Sequence, residues 1–294
     1  MMQKNIVNSS NGAISTNSAR TGKIGRMLIQ QGKISTEDTE KIVRIQEKEG
    51  LQFGDAAVKL GLITEADVRQ VLALQFNYPY LQAGQGNYSY ELVAAYQPFS
   101  QQVEALRALR GQLMMRLFNE SNKALAIVTA NAGEGGSYLA ANLAVMFSQL
   151  GERTLLVDAN MRDPRQHTIF NLKVNRGLSD IIARRSGLDA VNQVEFFEDL
   201  SVVTAGTIPP NPQELLNRAS FTHFMNQAAS QYDVVLVDTP PAITSADAQA
   251  TVAQCGGALL VSRLNHTRLA DITEVRNQIA LTGAHMVGAV INDF

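Results

Sequence analysis

The run ALAIVTANAGEGGSYLAANLAVMFSQLGERTLLVDANMRD at 124–163 constrains the fold more than any other part of the chain. An apolar, β-branched stretch at 124–129 breaks into a glycine-rich turn at 131–137, then into a helical apolar pattern at Leu139, Leu143, Met146, Phe147 and Leu150. Strand, tight loop and helix in that order aim main-chain N–H groups at one point, where the helix dipole favours an anion such as phosphate. Gly133, Gly135 and Gly136 let the backbone approach that anion, with Glu134 and Tyr138 completing the loop and first helical turn. Ser137 is placed to ligate Mg2+.

The loop departs twice from the pattern G-x-x-x-x-G-K-[ST]: Ala130 stands at its first glycine and Gly136 at its lysine. Its surroundings restore the reading. Two more apolar strands end in carboxylates, 154–157 in Asp158 and 233–237 in Asp238, the latter followed by Thr239, Pro240 and Pro241. Carboxylates at the C-terminal edge of parallel strands lie where open α/β sheets bind ligands, and Mg2+ is the natural ion for them to hold. Strands are expected at 124–130, 154–158, 200–204, 233–238, 257–262 and 286–291, with helices between. That alternation implies an α/β fold with a mainly parallel sheet covered by helices on both faces.

At this point the residues carry a family resemblance. GEGGSYLAANLA, LLVDANMRDPRQH, GTIPPNPQELL and YDVVLVDTPP resemble, in order and spacing, the Walker A, Walker A′, substrate-side and Walker B motifs of the bacterial tyrosine kinases of exopolysaccharide biosynthesis. The resemblance covers about 97–294 and implies a P-loop domain that binds ATP and Mg2+ through Gly133 to Tyr138, Asp158 and Asp238. It further implies catalytic roles around Asp158, Asn160, Arg162 and Asp238, and places Asn292, at the last strand's end, near the adenine of related ATPases. Glu104, Arg107 and Arg110 reproduce the family's E-x-x-R-x-x-R element, which in relatives mediates ring-shaped self-association. Taken alone, those residues are an i, i+3, i+6 charged stripe on an amphipathic helix.

Two substitutions bear on activity. Lysine at position 136 would neutralise charge on the β- and γ-phosphates, the electrostatic core of phosphoryl transfer, and Gly136 supplies none. The family's second aspartate of V-D-x-D-x-R is a candidate base for the attacking tyrosine, and the amide of Asn160 cannot take that proton. Nucleotide binding is expected to survive through the main-chain cradle, with transfer weakened unless Arg162 or a neighbouring subunit's cation stands in. The family's C-terminal tyrosine cluster has no counterpart after VINDF, so Tyr88 and Tyr90, in GQGNYSYE, are the candidate acceptors.

The first hundred residues carry a duplication. Segments 23–46 and 52–75 align without a gap, matching Gly25 with Gly54, Gly32 with Gly61, Ile34 with Ile63, Asp38 with Asp67 and Gln46 with Gln75. Ser35 and Thr64 each stand three residues before an aspartate, a capping-box-like helix start. This unit is similar to the MshEN domain of type II secretion and pilus ATPases, several of which bind cyclic di-GMP. That family opens each motif with arginine, whereas Lys23 and Gln52 stand here. Glutamine lacks the guanidinium fork and lysine imitates it poorly.

The expected organisation is a disordered arm at 1–22, a small helical domain at 23–80, a linker at 81–96 and the P-loop domain at 97–294. A net charge of −2 gives no electrostatic reason for a nucleic-acid partner, and no apolar run is long enough for a bilayer span. A cytoplasmic protein, peripheral at the membrane, is expected. The combined domain order looks most like the soluble kinases of exosortase-associated systems, implying a homo-oligomer and a membrane polysaccharide chain-length determinant as partner. Two other functions share parts of this pattern: a catalytically degenerate nucleotide-binding adaptor, and a partitioning ATPase of the ParA and MinD class. The last requires a second lysine where Asn131 stands.

Overall fold

The computed structural model describes residues 22–75, 80–81, 84–173 and 175–293, so the expected disordered arm lies outside the described residues except for Gly22. The chain divides into two compact units, Met1–Pro79 and Tyr80–Phe294.

The first unit contains α1 (Gly22–Gln30), α2 (Thr36–Glu49), α3 (Phe53–Lys59) and α4 (Glu65–Gln75). Both expected capping boxes form. Asp38 N–H donates to the Ser35 hydroxyl at 3.1 Å while the Asp38 carboxylate accepts from Ser35 N–H at 3.1 Å; Asp67 and Thr64 repeat the pair at 3.2 and 2.8 Å. Gly32 and Gly61 share the same left-handed φ of 67°. The copies are interlocked rather than stacked, because α1 packs on α4 and α3 on α2. Equivalent positions fill one core, Leu28 with Ala57, Ile34 with Ile63 and Ile42 with Val71, so each copy completes the other's apolar face. Lys33 reaches across to Asp67 at 2.7 Å. This ammonium, with the Thr64 hydrogen bonds, pulls the Asp67 carboxyl down to about 2.

The second unit opens with α5 (Val93–Tyr96) and α6 (Gln101–Arg116), followed by β1 (Ala124–Thr129), α7 (Gly136–Ser148) and β2 (Thr154–Asp158). Later strands are β3 (Asn192–Gln193), β4 (Leu200–Val203), β5 (Val234–Asp238), β6 (Gly257–Arg263) and β7 (His285–Asn292). They form one sheet in the order β3-β4-β2-β5-β1-β6-β7, parallel throughout except at β3. All six expected strands are present. The two-residue β3 has no sequence signal of its own, being too short for an apolar pattern. Strand β1 shows why the sheet needs two layers: Leu125 and Ile127 enter one core with Leu139, Leu143 and Phe147, while Ala126 and Val128 enter another with Phe221, Phe224 and Val252.

The described residues of 81–96, expected as a linker, pack as part of the second unit. Leu81, Leu92, Val93, Ala94 and Ala95 are buried in the same core as α7. The buried side chain of Asn142 fastens this segment, accepting from Ala94 N–H at 2.9 Å and donating to the Glu91 carbonyl at 2.9 Å. Helix α7 is therefore sandwiched between the sheet and the segment before it, which explains its alanine-rich, all-round apolar surface. Leu150, expected on the apolar face, lies beyond the helix and is 51% exposed.

Candidate functional site

Parallel strands deliver their C-terminal ends to one edge of the sheet, and there β1, β2 and β5 bring the loop, Asp158 and Asp238 together. A cavity of about 510 Å³ opens at this edge, lined by Asn131 to Tyr138, by Asn160, Arg162, Asp163 and Arg165, and by Thr239 to Pro241. Gly133 and Gly135 hold φ of 77° and 89°, left-handed values that a side chain would resist, so the loop's path depends on glycine there.

The loop is braced from within by Glu134, whose side chain is fully buried. Its carboxylate accepts from Ala130 N–H at 2.8 Å, the Asn131 amide at 3.2 Å and the Thr267 hydroxyl at 2.8 Å. Expected as a ligand contact, Glu134 thus spends its carboxylate on the loop's own frame. Asn292 does likewise: its amide donates to the Glu134 carbonyl at 2.9 Å, and it does not line the cavity. Asn131 also donates to Asp271 at 3.0 Å.

Behind the loop sit the two carboxylates, both buried. Asp158 accepts N–H bonds from Asn160, Arg165 and Gln166 at 3.0–3.2 Å, yet burial and repulsion from Asp238 push its proton affinity well above the carboxylate range. Burial likewise pushes Asp238 up to about 6, against hydrogen bonds from Gln166 and Ser137. One Asp238 oxygen takes the Gln166 amide at 2.7 Å; Oδ1 is buried with no partner among the described residues. Two repelling carboxylates, an orphaned oxygen and a bonded serine hydroxyl fit a hydrated divalent cation. Among the described residues no cluster of three metal-ligating side chains exists, so Ser137 and Asp238 would hold such an ion with phosphate and water completing its shell.

Position 136 lies in the first turn of α7 with its Cα against Thr129. A Cβ there would meet the Thr129 methyl at 2.8 Å, so the site is shaped around glycine. Asn160 forms a closed turn, donating to the Asp163 carbonyl at 2.8 Å and accepting from Asp163 N–H at 3.1 Å. Arg162, the expected stand-in for lysine, is held by two bonds, 2.7 and 3.1 Å, to the fully buried Asp247. Arg165 pairs instead with Glu91 at 2.8 and 3.0 Å, and both line the cavity.

On α6, Glu104 pairs with Arg107, which also donates to the Pro98 carbonyl, and Arg110 caps α7 through the Met146 carbonyl at 2.8 Å. The charged stripe thus has work inside the unit. Of the candidate acceptors, Tyr88 packs edge-on against Phe170 with its hydroxyl pushed upward by burial, while Tyr90 is 68% exposed beside Tyr96. Tyr138 lines the cavity; its buried hydroxyl has no partner among the described residues and is pushed up to about 12 by burial and nearby Glu91.

Sequence reasoning missed Gln166, Glu91, Arg165 and Thr129. Gln166 and Arg165 sit inside the PRQH piece of the Walker A′-like run, and their spacing after Asp158 was the available signal. Glu91 was hidden by reading its segment as a linker.

Comparison with known proteins gives the same picture. The family "Cellulose biosynthesis protein BcsQ" matches residues 122–292. The tyrosine-protein kinase YwqD of Bacillus subtilis is 34% identical over 201 residues, covering 68% of this chain and 85% of that one. The crystal structure of the chimerical protein CapA2B2 superposes with a TM-score of 0.66 at 34% identity, covering 76% of this chain and 97% of its own. The kinase domain of the Escherichia coli tyrosine kinase ETK gives a TM-score of 0.66 at 30% identity, covering 69% of this chain and 79% of that one. With that family model matching more than half of the chain and relatives more than 30% identical over most of their own length, the chain belongs to the bacterial tyrosine-kinase family.

Proposed function

We propose that this protein binds ATP with Mg2+ at the β1–α7 loop and regulates exopolysaccharide biosynthesis and chain length through nucleotide-dependent self-association, with tyrosine phosphorylation a weak or residual activity. Support comes first from the orphaned Oδ1 of Asp238 beside Ser137, behind a cavity large enough for a nucleotide and floored by the loop's main-chain amides. When bound, Mg2+ would neutralise phosphate charge there. Ser137 and Asp238 would hold it, with Asp158 and Gln166 orienting Asp238's surroundings, and Gly133 to Ser137 would present N–H groups to the phosphates.

The missing ammonium at Gly136 and the amide at Asn160 remove stabilisation and a proton acceptor from the transfer step, favouring binding over turnover. Self-association would run through Glu104, Arg107 and Arg110, and the MshEN-like unit would serve as a docking module. The partner implied by the family is a membrane chain-length determinant. No helix among the described residues is long and apolar enough to cross a membrane, which suits peripheral recruitment. The adaptor reading keeps all of this without any transfer, and Gly136 is the observation favouring it.

Incubation of the purified chain with ATP and Mg2+ separates the two readings. Weak phosphotyrosine that is lost in Asp158→Ala supports a residual kinase; none at all, with nucleotide still bound, supports the adaptor. A robust signal would overturn the attenuated account.

A further inference from the structure

We propose that Arg165, released from Glu91, supplies to a bound polyphosphate the positive charge that the loop lacks at Gly136. The inference rests on the nucleotide reading above and names the residue that would make it work. Among the described residues lining the cavity, Arg162 and Arg165 are the cations.

The two arginines differ in what holds them. Asp247 is fully buried, so freeing Arg162 would strand a charge in the interior, a penalty of several hundredfold or more in equilibrium. Glu91 and Arg165 are 45% and 44% exposed, and a pair of that kind holds by about twofold to fivefold. A triphosphate arriving in the cavity can outcompete Glu91 but not Asp247.

Both partners also stand on fixed anchors. Arg165 N–H is bonded to Asp158 Oδ2 at 3.1 Å, at the edge where the phosphates would lie, and the Glu91 carbonyl is bonded to Asn142 at 2.9 Å. Only the two side chains need move. The charge of Arg165 already bears on Asp238. Glu91 thus acts as a placeholder for phosphate, and it belongs to the segment packed over α7 rather than to the loop itself.

The test is equilibrium binding of ATP and of AMP, each with Mg2+, to the full chain and its variants. Arg165→Gln is expected to weaken ATP by about tenfold or more while leaving AMP nearly unchanged, because the charge-assisted bonds are made to the outer phosphates. Arg165→Lys is expected to recover part of that ratio, and Glu91→Gln to tighten ATP selectively. If Arg165→Gln shifts ATP and AMP equally, or neither, while the unmodified chain binds ATP, this inference falls and the nucleotide reading stands. Failure of the unmodified chain to bind ATP would overturn both.

Discussion

Gly136→Lys tests the account where family and chain diverge most. An ammonium bonded to phosphate is worth about 1.5–3 kcal/mol, roughly ten- to a hundredfold in affinity. Against it stands the Thr129 methyl, 2.8 Å from the position of the new Cβ. Overpacking of that order costs about 1–3 kcal/mol in stability, a lowering of roughly 2–10 °C in melting temperature for a unit of this size. The strain is present with and without ligand, so it lowers the melting temperature while the gain in affinity remains visible. Thr129→Ser combined with Gly136→Lys removes the offending methyl, keeps the hydroxyl and should restore the melting temperature without losing the affinity. Calorimetric titration with ATP and Mg2+, beside thermal unfolding of each variant, reads both quantities. A folded Gly136→Lys protein whose ATP affinity equals that of the unmodified chain would refute the reasoning, since the outer phosphates would then lie elsewhere.

Other outcomes follow from the same geometry. In the first unit, Asp67 has a depressed proton affinity, so its stabilisation is complete above pH of about 4 and lost as pH falls towards about 2. Because its partner Lys33 is partly exposed, Asp67→Asn should cost only about 0.5–1 kcal/mol at neutral pH and progressively less as pH falls through about 2, read by chemical denaturation at each pH. On α6, Arg110→Ala removes the cap on the Met146 carbonyl and should lower stability by about 1 kcal/mol, whereas Glu104→Ala, at an exposed side chain, should change sedimentation with little thermal effect. An Arg110 variant with unchanged stability would contradict the capping role. If transfer occurs, Tyr90→Phe should remove more phosphotyrosine than Tyr88→Phe, measured by mass spectrometry of the two peptides, because only Tyr90 is exposed.

Much of this arrangement was legible because it depends on local chemistry. Parallel strands buried on both faces announce themselves as unbroken apolar runs, and the carboxylates ending β2 and β5 follow directly from where those runs stop. The capping boxes at Ser35 and Thr64 were equally plain, since they need only neighbours in sequence. Long-range partners were not legible. Nothing near Arg162 in sequence discloses the buried Asp247 that holds it, and nothing near Glu91 discloses Asn142. The segment 81–96 looked like a linker because its glycines and polar residues dominate the pattern, while Leu92 to Ala95, too short for periodicity, carry the packing. Glu134 and Asn292 were expected at the ligand because they lie in the right motifs; their side chains bond within the loop's frame, a feature only side-chain direction can reveal.

The central claim is that main-chain amides and two acidic side chains can seat a triphosphate without the usual lysine. A crystal structure of the unmodified chain grown with Mg2+ and a non-hydrolysable ATP analogue tests it most directly. The account predicts phosphate density against the N–H groups of Gly133 to Ser137 with a cation beside Asp238. Crystals grown at saturating analogue that show the loop without phosphate, or show the nucleotide seated elsewhere, would contradict it.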